Sequence, residues 1–164
     1  MITYSGSKKW ALVSLSILLS IIFLALSGCT VKFVSQYDEI TDSSVTALQR
    51  KVETFMVTLE SQDGLPECSY EHHKEFYQEA KVDLSAMRVR AAAISKNKIT
   101  VAQLKLLSDS FIQLENLHKL KVEKSESTNN LRCITKDEVS LLRTAFNSSF
   151  TAILKLELAK KRGE

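Results

Sequence analysis

The chain is predicted to fold as an all-α antiparallel four-helix bundle, in up-down-up-down order, behind a cleaved N-terminal segment. Three observations carry this. Apolar residues recur every three and four positions in four separate runs, which puts each run on one helix face. Turn formers are scarce, with 4 Gly and 1 Pro in 164 residues, and no alternating β-branched run suggests a sheet. The connections are mostly short, which sets successive helices side by side and antiparallel. The expected domain spans residues 37–164.

Residues 1–28 have the layout of a secretory signal. "MITYSGSKKW" is short and basic, "ALVSLSILLSIIFLA" adds 15 uncharged residues, and the small Ser27 and Gly28 follow. A plain membrane anchor is the competing reading. Trp10 to Ser27 supplies 18 residues, where a span needs about 20.

Leu26-Ser27-Gly28-Cys29 resembles the lipobox of bacterial lipoproteins, a likeness that covers the first 29 residues. It implies that Cys29 is lipidated on sulfur, cleaved free of residues 1–28 and acylated on its new amine. Each buried CH₂ contributes about 0.8 kcal/mol, and two chains already anchor stably. Thr30 follows the cysteine. An Asp there would resemble an inner-membrane retention signal, so the expected address is the periplasmic face of the outer membrane. Residues 29–36 are then the lipidated cysteine and a tether. "TVKFVSQ" reaches about 25 Å when fully extended.

In the first helical run Val45, Leu48, Val52, Phe55 and Leu59 form the stripe. Asp38, Glu39 and Asp42 suit the positive end of its dipole, and Gly64 and Pro66 end it. The second run starts near Ser69 and carries His73, Tyr77, Ala80, Leu84, Met87, Ala91 and Ile94. "SKNK" closes it, with Asn97 expected as a left-handed cap.

The third run opens on Thr100 and Gln103, spaced like a capping box. Leu104, Leu107, Phe111, Leu114 and His118 mark its stripe, and His118 is expected near the helix end. "KVEKSESTNN" reads as loop. The fourth run opens on a second capping-box pair, Thr135 and Glu138. Val139, Leu142, Phe146, Phe150, Ile153, Leu154 and Leu158 form its expected inward face. Glu157 is expected outside, paired with Lys160 or Lys161.

Topology gives the remaining cysteines a role. Cys68 lies in the first connection and Cys133 in the third, so the bundle brings them to one end. In an exported chain a Cys68–Cys133 disulfide is expected. The opposite end collects Lys32, Lys96, Lys98, Lys160, Lys161 and Arg162, a membrane-facing basic collar. Two readings of that collar stay open: attraction to anionic headgroups, or solvated charge that complements helix C-termini.

Catalytic and metal signals are thin. His72 and His73 are adjacent, about 100° apart on a helix, and zinc wants three or four converging ligands. There is no G-x-S-x-G elbow, C-x-x-C pair or phosphate-cradling glycine loop. Without Lys8 and Lys9 the chain carries 20 basic and 19 acidic residues. That balance is no footprint for nucleic acid. No enzyme, metal or cofactor is therefore expected.

"ILKLELAKKRGE", residues 153–164, resembles the ending of small helical bacterial lipoproteins without an assigned activity. Small disulfide-bridged helical lipoproteins that pilot secretion channels are similar in architecture. The resemblance implies a non-enzymatic adaptor, pilot or stabiliser of an envelope component, with an envelope protein as partner. The alternative is a small-ligand or lipid carrier with a pocket between helices, where Ala80, Ala91, Ala92 and Ala93 leave space.

Overall fold

A computed structural model describes residues 34–125 and 133–163. Residues 1–28, Cys29 and Lys32 lie outside them. The described residues form four helices: α1 (Glu39–Ser61), α2 (Tyr70–Ala93), α3 (Lys98–Ser125) and α4 (Lys136–Arg162). A short 3₁₀ turn, Pro66–Cys68, sits between α1 and α2.

Each helix begins or ends for a local reason. Asp38 caps α1, its carboxylate accepting from the Thr41 backbone N–H at 3.1 Å. Gly64 takes φ 81°, a left-handed turn that glycine enters without a Cβ penalty. Thr135 and Glu138 do form a capping box at α4.

The α2–α3 junction departs from expectation. Lys96, at φ 61°, is the left-handed residue, not Asn97. Asn97 precedes α3 and its carbonyl accepts from the Val101 N–H at 3.1 Å. Its side-chain amide donates back to the Ala91 carbonyl at 3.0 Å, closing α2. The helix therefore starts at Lys98, and Thr100 and Gln103 lie inside it rather than forming a capping box. At its far end α3 continues to Ser125, into the stretch that read as loop.

The packing is a ring. α1 packs on α2 and α4, and α3 packs on the same two neighbours. Cys68 and Cys133 are disulfide-bonded, with Cα atoms 5.4 Å apart. The first and third connections thus share one end. Ser35, the α2–α3 junction and the end of α4 share the other, where Ser35 and Lys160 both bond Asn97.

The core follows the predicted stripes on α1, α2 and α3. Phe55 stacks on Phe76 at 3.9 Å between ring centres, and Phe111 meets Phe146 edge-on at 4.9 Å. Each such side chain, fully buried, contributes about 1.5–3 kcal/mol. On α4 the stripe differs: Leu158 is 47% exposed, while Glu157 is sealed at 0%. The inward row runs Phe146, Phe150, Ile153, Glu157, Lys160, steps of four and three that keep one face.

Candidate functional site

Two polar constructions stand at opposite ends of the bundle. At the chain-start end, Lys160 is buried rather than presented to solvent. Its ammonium donates to Glu157 Oε1 (2.6 Å), Asn97 Oδ1 (2.7 Å) and Thr100 Oγ1 (2.8 Å). Three acceptors use all three ammonium protons. Thr100 Oγ1 in turn donates to Glu157 Oε1, and Ser35 Oγ donates to Asn97 Oδ1 at 2.9 Å. One network therefore ties the segment before α1, the α2–α3 junction and α4 together. Glu157 Oε2 and Gln103 Oε1 are buried oxygens without a hydrogen-bond partner among the described residues.

The first turn of α1 is held to α2 at the same end. The Arg90 guanidinium donates to both Asp38 oxygens, at 2.6 and 2.7 Å. That bidentate bond holds the Asp38 carboxyl down at about 2, below the usual carboxylate range. The Tyr37 hydroxyl donates to Asp42 at 2.7 Å, which pushes its pKa up to about 12.

The expected basic collar is thereby redrawn. Lys96, Lys98, Lys161 and Arg162 are exposed at this end, and Lys161 lies 5.0 Å over the Tyr37 ring. Lys160 is withdrawn from the collar because the bundle interior has claimed its charge. Arg88 and Lys105, absent from the expected collar, join Lys96 and Lys98 around a groove of about 500 Å³. Its floor is Ala91, Ala92, Ile94, Val101 and Ala102.

At the bridged end, His118 is buried, as its place in the α3 stripe predicts, but it lies two turns inside the helix rather than near its end. Its Nε2 lies 2.7 Å from the Cys68 carbonyl and its Nδ1 lies 2.8 Å from the Tyr77 hydroxyl. A carbonyl only accepts, so Nε2 carries the proton and Nδ1 accepts from Tyr77. Burial lowers the His118 pKa to about 4, which keeps the ring neutral. Burial likewise raises the Tyr77 hydroxyl. Neither group is poised to exchange protons near neutrality.

His73 and His118 do approach, with ring centres 5.9 Å apart, but His73 bonds Gln62 Oε1 at 2.9 Å. His72 turns to Ser69 Oγ at 2.8 Å. Glu115 is buried beneath Lys81, Lys119 and Tyr70. Burial alone would raise its pKa, yet those three donors hold it at about 2. Among the described residues no three His, Cys, Asp or Glu side chains converge as metal ligands.

Along the α3–α4 seam runs a second groove, of about 340 Å³. Leu114, Leu117, Leu142 and Phe146 line it with the smaller Ser110 and Ala145. Leu106 (66% exposed) lies one turn before Ser110, and Leu141 (73%) one turn before Ala145. Sequence periodicity could not find this groove, because a seam depends on how two helices meet.

Among the described residues no helix is long and apolar enough to cross a membrane. No protein-family model matches the chain, and no curated protein and no solved structure matches it.

Proposed function

We propose that this chain is a lipid-anchored lipoprotein of the periplasmic face of the outer membrane, acting as a non-enzymatic adaptor, pilot or stabiliser of an envelope component. Residues 1–28 are the signal peptide and Cys29 is the anchor. With Ser35 bonded to Asn97, only residues 30–34 separate the anchor from the bundle, about 17 Å at full extension. The bundle then stands close to the bilayer, with the α2–α3 junction toward it and the Cys68–Cys133 end away.

The observation that carries the adaptor reading is the apolar seam between α3 and α4, flanked by the exposed Leu106 and Leu141. Exposed apolar surface grouped along a groove favours a partner over a solvated face. A groove between two helices suits an amphipathic helix of an envelope protein. The polar clusters at both ends are largely occupied by mutual hydrogen bonds, which favours binding over chemistry.

Photocrosslinking in intact cells from position 141 tests the adaptor reading. It predicts one recurrent envelope-protein adduct that a charge at Leu106 abolishes. Recovery of uncrosslinked monomer alone would contradict it. The anchor is tested separately, by the mass of the N-terminal peptide of membrane-isolated protein. A lipidated Cys29 as first residue is expected, and an unmodified peptide retaining residues 1–28 would contradict it. The second reading, a small-ligand or lipid carrier, is favoured by the groove at the α2–α3 junction, which Ala91 and Ala92 help to line.

A further inference from the structure

The geometry points to the groove at the α2–α3 junction as a binding site for the headgroup of an anionic bilayer phospholipid. Its rim carries Arg88, Lys96, Lys98 and Lys105, and among the described residues its lining holds no Asp or Glu. Lys105 is partly engaged by Asp109 at 2.7 Å. Among the described residues Arg88 and Lys98 have no ion-pair partner. Beneath the cations the floor is apolar: Ala91, Ala92, Ile94, Val101 and Ala102. Cations above an apolar floor match a phosphate attached to a glyceride better than they match free phosphate. The volume, about 500 Å³, falls within the usual range for a small-molecule site.

Position names the source. Asn97 lines this groove and also accepts the Ser35 hydroxyl. The chain outside the described residues joins at Val34, directly before Ser35, and it carries the uncharged run of residues 11–25 and Cys29. Whatever that segment attaches to is brought to the groove's end of the bundle. The inference rests on the membrane-tethered reading in this respect. It also sharpens it: the basic surface is a defined site that includes Arg88 and Lys105 and excludes the buried Lys160.

The test uses the full chain in a neutral detergent, so it does not need the anchor to be lipidated. Phosphatidylglycerol or phosphatidylcholine is added, and retained lipid is counted by native mass spectrometry. Phosphatidylglycerol is expected to be retained at least about fivefold better. Each rim cation near an anionic headgroup contributes about fivefold, so Arg88→Gln/Lys98→Gln should lower retention roughly 25-fold. Lys136→Gln/Lys155→Gln removes two exposed charges elsewhere and should leave it unchanged. Equal retention of the two lipids, or equal losses in the two double variants, would overturn the site. Complete release of the lipid by inorganic phosphate would reassign the groove to a soluble anion and overturn it too. An N-terminal peptide of membrane-isolated protein that carries an unmodified Cys29 would instead contradict the anchor and leave the lipid result standing.

Discussion

Lys160 Nζ lies 2.6 Å from Glu157 Oε1, and both side chains are sealed inside the bundle. The pair sits three residues apart on one helix, but its other bonds reach Asn97 and Thr100 across the α2–α3 junction. It fastens the end of the chain to the place where the bundle reverses direction.

Lys160→Met should therefore destabilise the protein by about 3–5 kcal/mol, because it strands a buried carboxylate. Glu157→Gln/Lys160→Met should recover most of that loss, since no charge is left unpaired. Urea unfolding measures both. A single-variant loss below about 1 kcal/mol would show that the pair is solvated.

The Cys68–Cys133 bridge spans a sequence separation of 65. In the chain-entropy account its removal costs about 4 kcal/mol. Cys68→Ser/Cys133→Ser should unfold at a correspondingly lower urea midpoint. Thiol labelling of unreduced protein should find neither cysteine free, and two labels at these positions would contradict the bridge.

Acid should weaken the fold through several groups. The folded pKa of His118 is lowered to about 4 by burial, so the unfolded chain binds the extra proton first. Its stability contribution is complete above about 6.5 and is lost as pH falls toward 4. Glu115 is held at about 2 by Lys81, Lys119 and Tyr70 despite its burial. Its contribution is complete above the ordinary carboxylate value and is lost as pH falls further. His73, lowered mainly by burial, adds in the same direction as His118. His118→Gln keeps a donor and an acceptor but cannot titrate. It should flatten the slope of stability between pH 6.5 and 4, and an unchanged slope would contradict the buried neutral ring.

Capping predicts smaller effects. Thr135→Ala should cost about 1 kcal/mol, the usual value of an N-cap. Asp38→Ala should cost more, because the same carboxylate also receives the bidentate Arg90. Equal losses would show that the Arg90 pair is screened away by solvent.

The helices and their order were legible because three-four spacing of apolar residues is a direct image of a helix face. Val45, Leu48, Val52, Phe55 and Leu59 all reach the core. Met56, also fully buried, lies outside the predicted stripe because a helix packed against two neighbours buries more than a narrow stripe. Glu157 and Lys160 were misplaced for a different reason. Their spacing from Ile153, four and seven, continues the inward row, whereas their charge argues for solvent and favours Leu158 in their place. Periodicity was the better guide, and the compensating partners, Asn97 and Thr100, lie some 60 residues away in sequence. The grooves were invisible for the same reason, since each is made by two elements whose meeting no local pattern records.

The orientation of the bundle on the membrane tests the account most directly. The full chain, carrying a single fluorescent amino acid at position 96 or at position 63, is placed in vesicles containing brominated phosphatidylglycerol. Lys96 belongs to the α2–α3 junction, and Asp63 belongs to the bridged end, where it accepts from the Lys136 N–H. Quenching is predicted at 96 and not at 63. Quenching at 63, or at neither position in membrane-bound protein, would contradict the account.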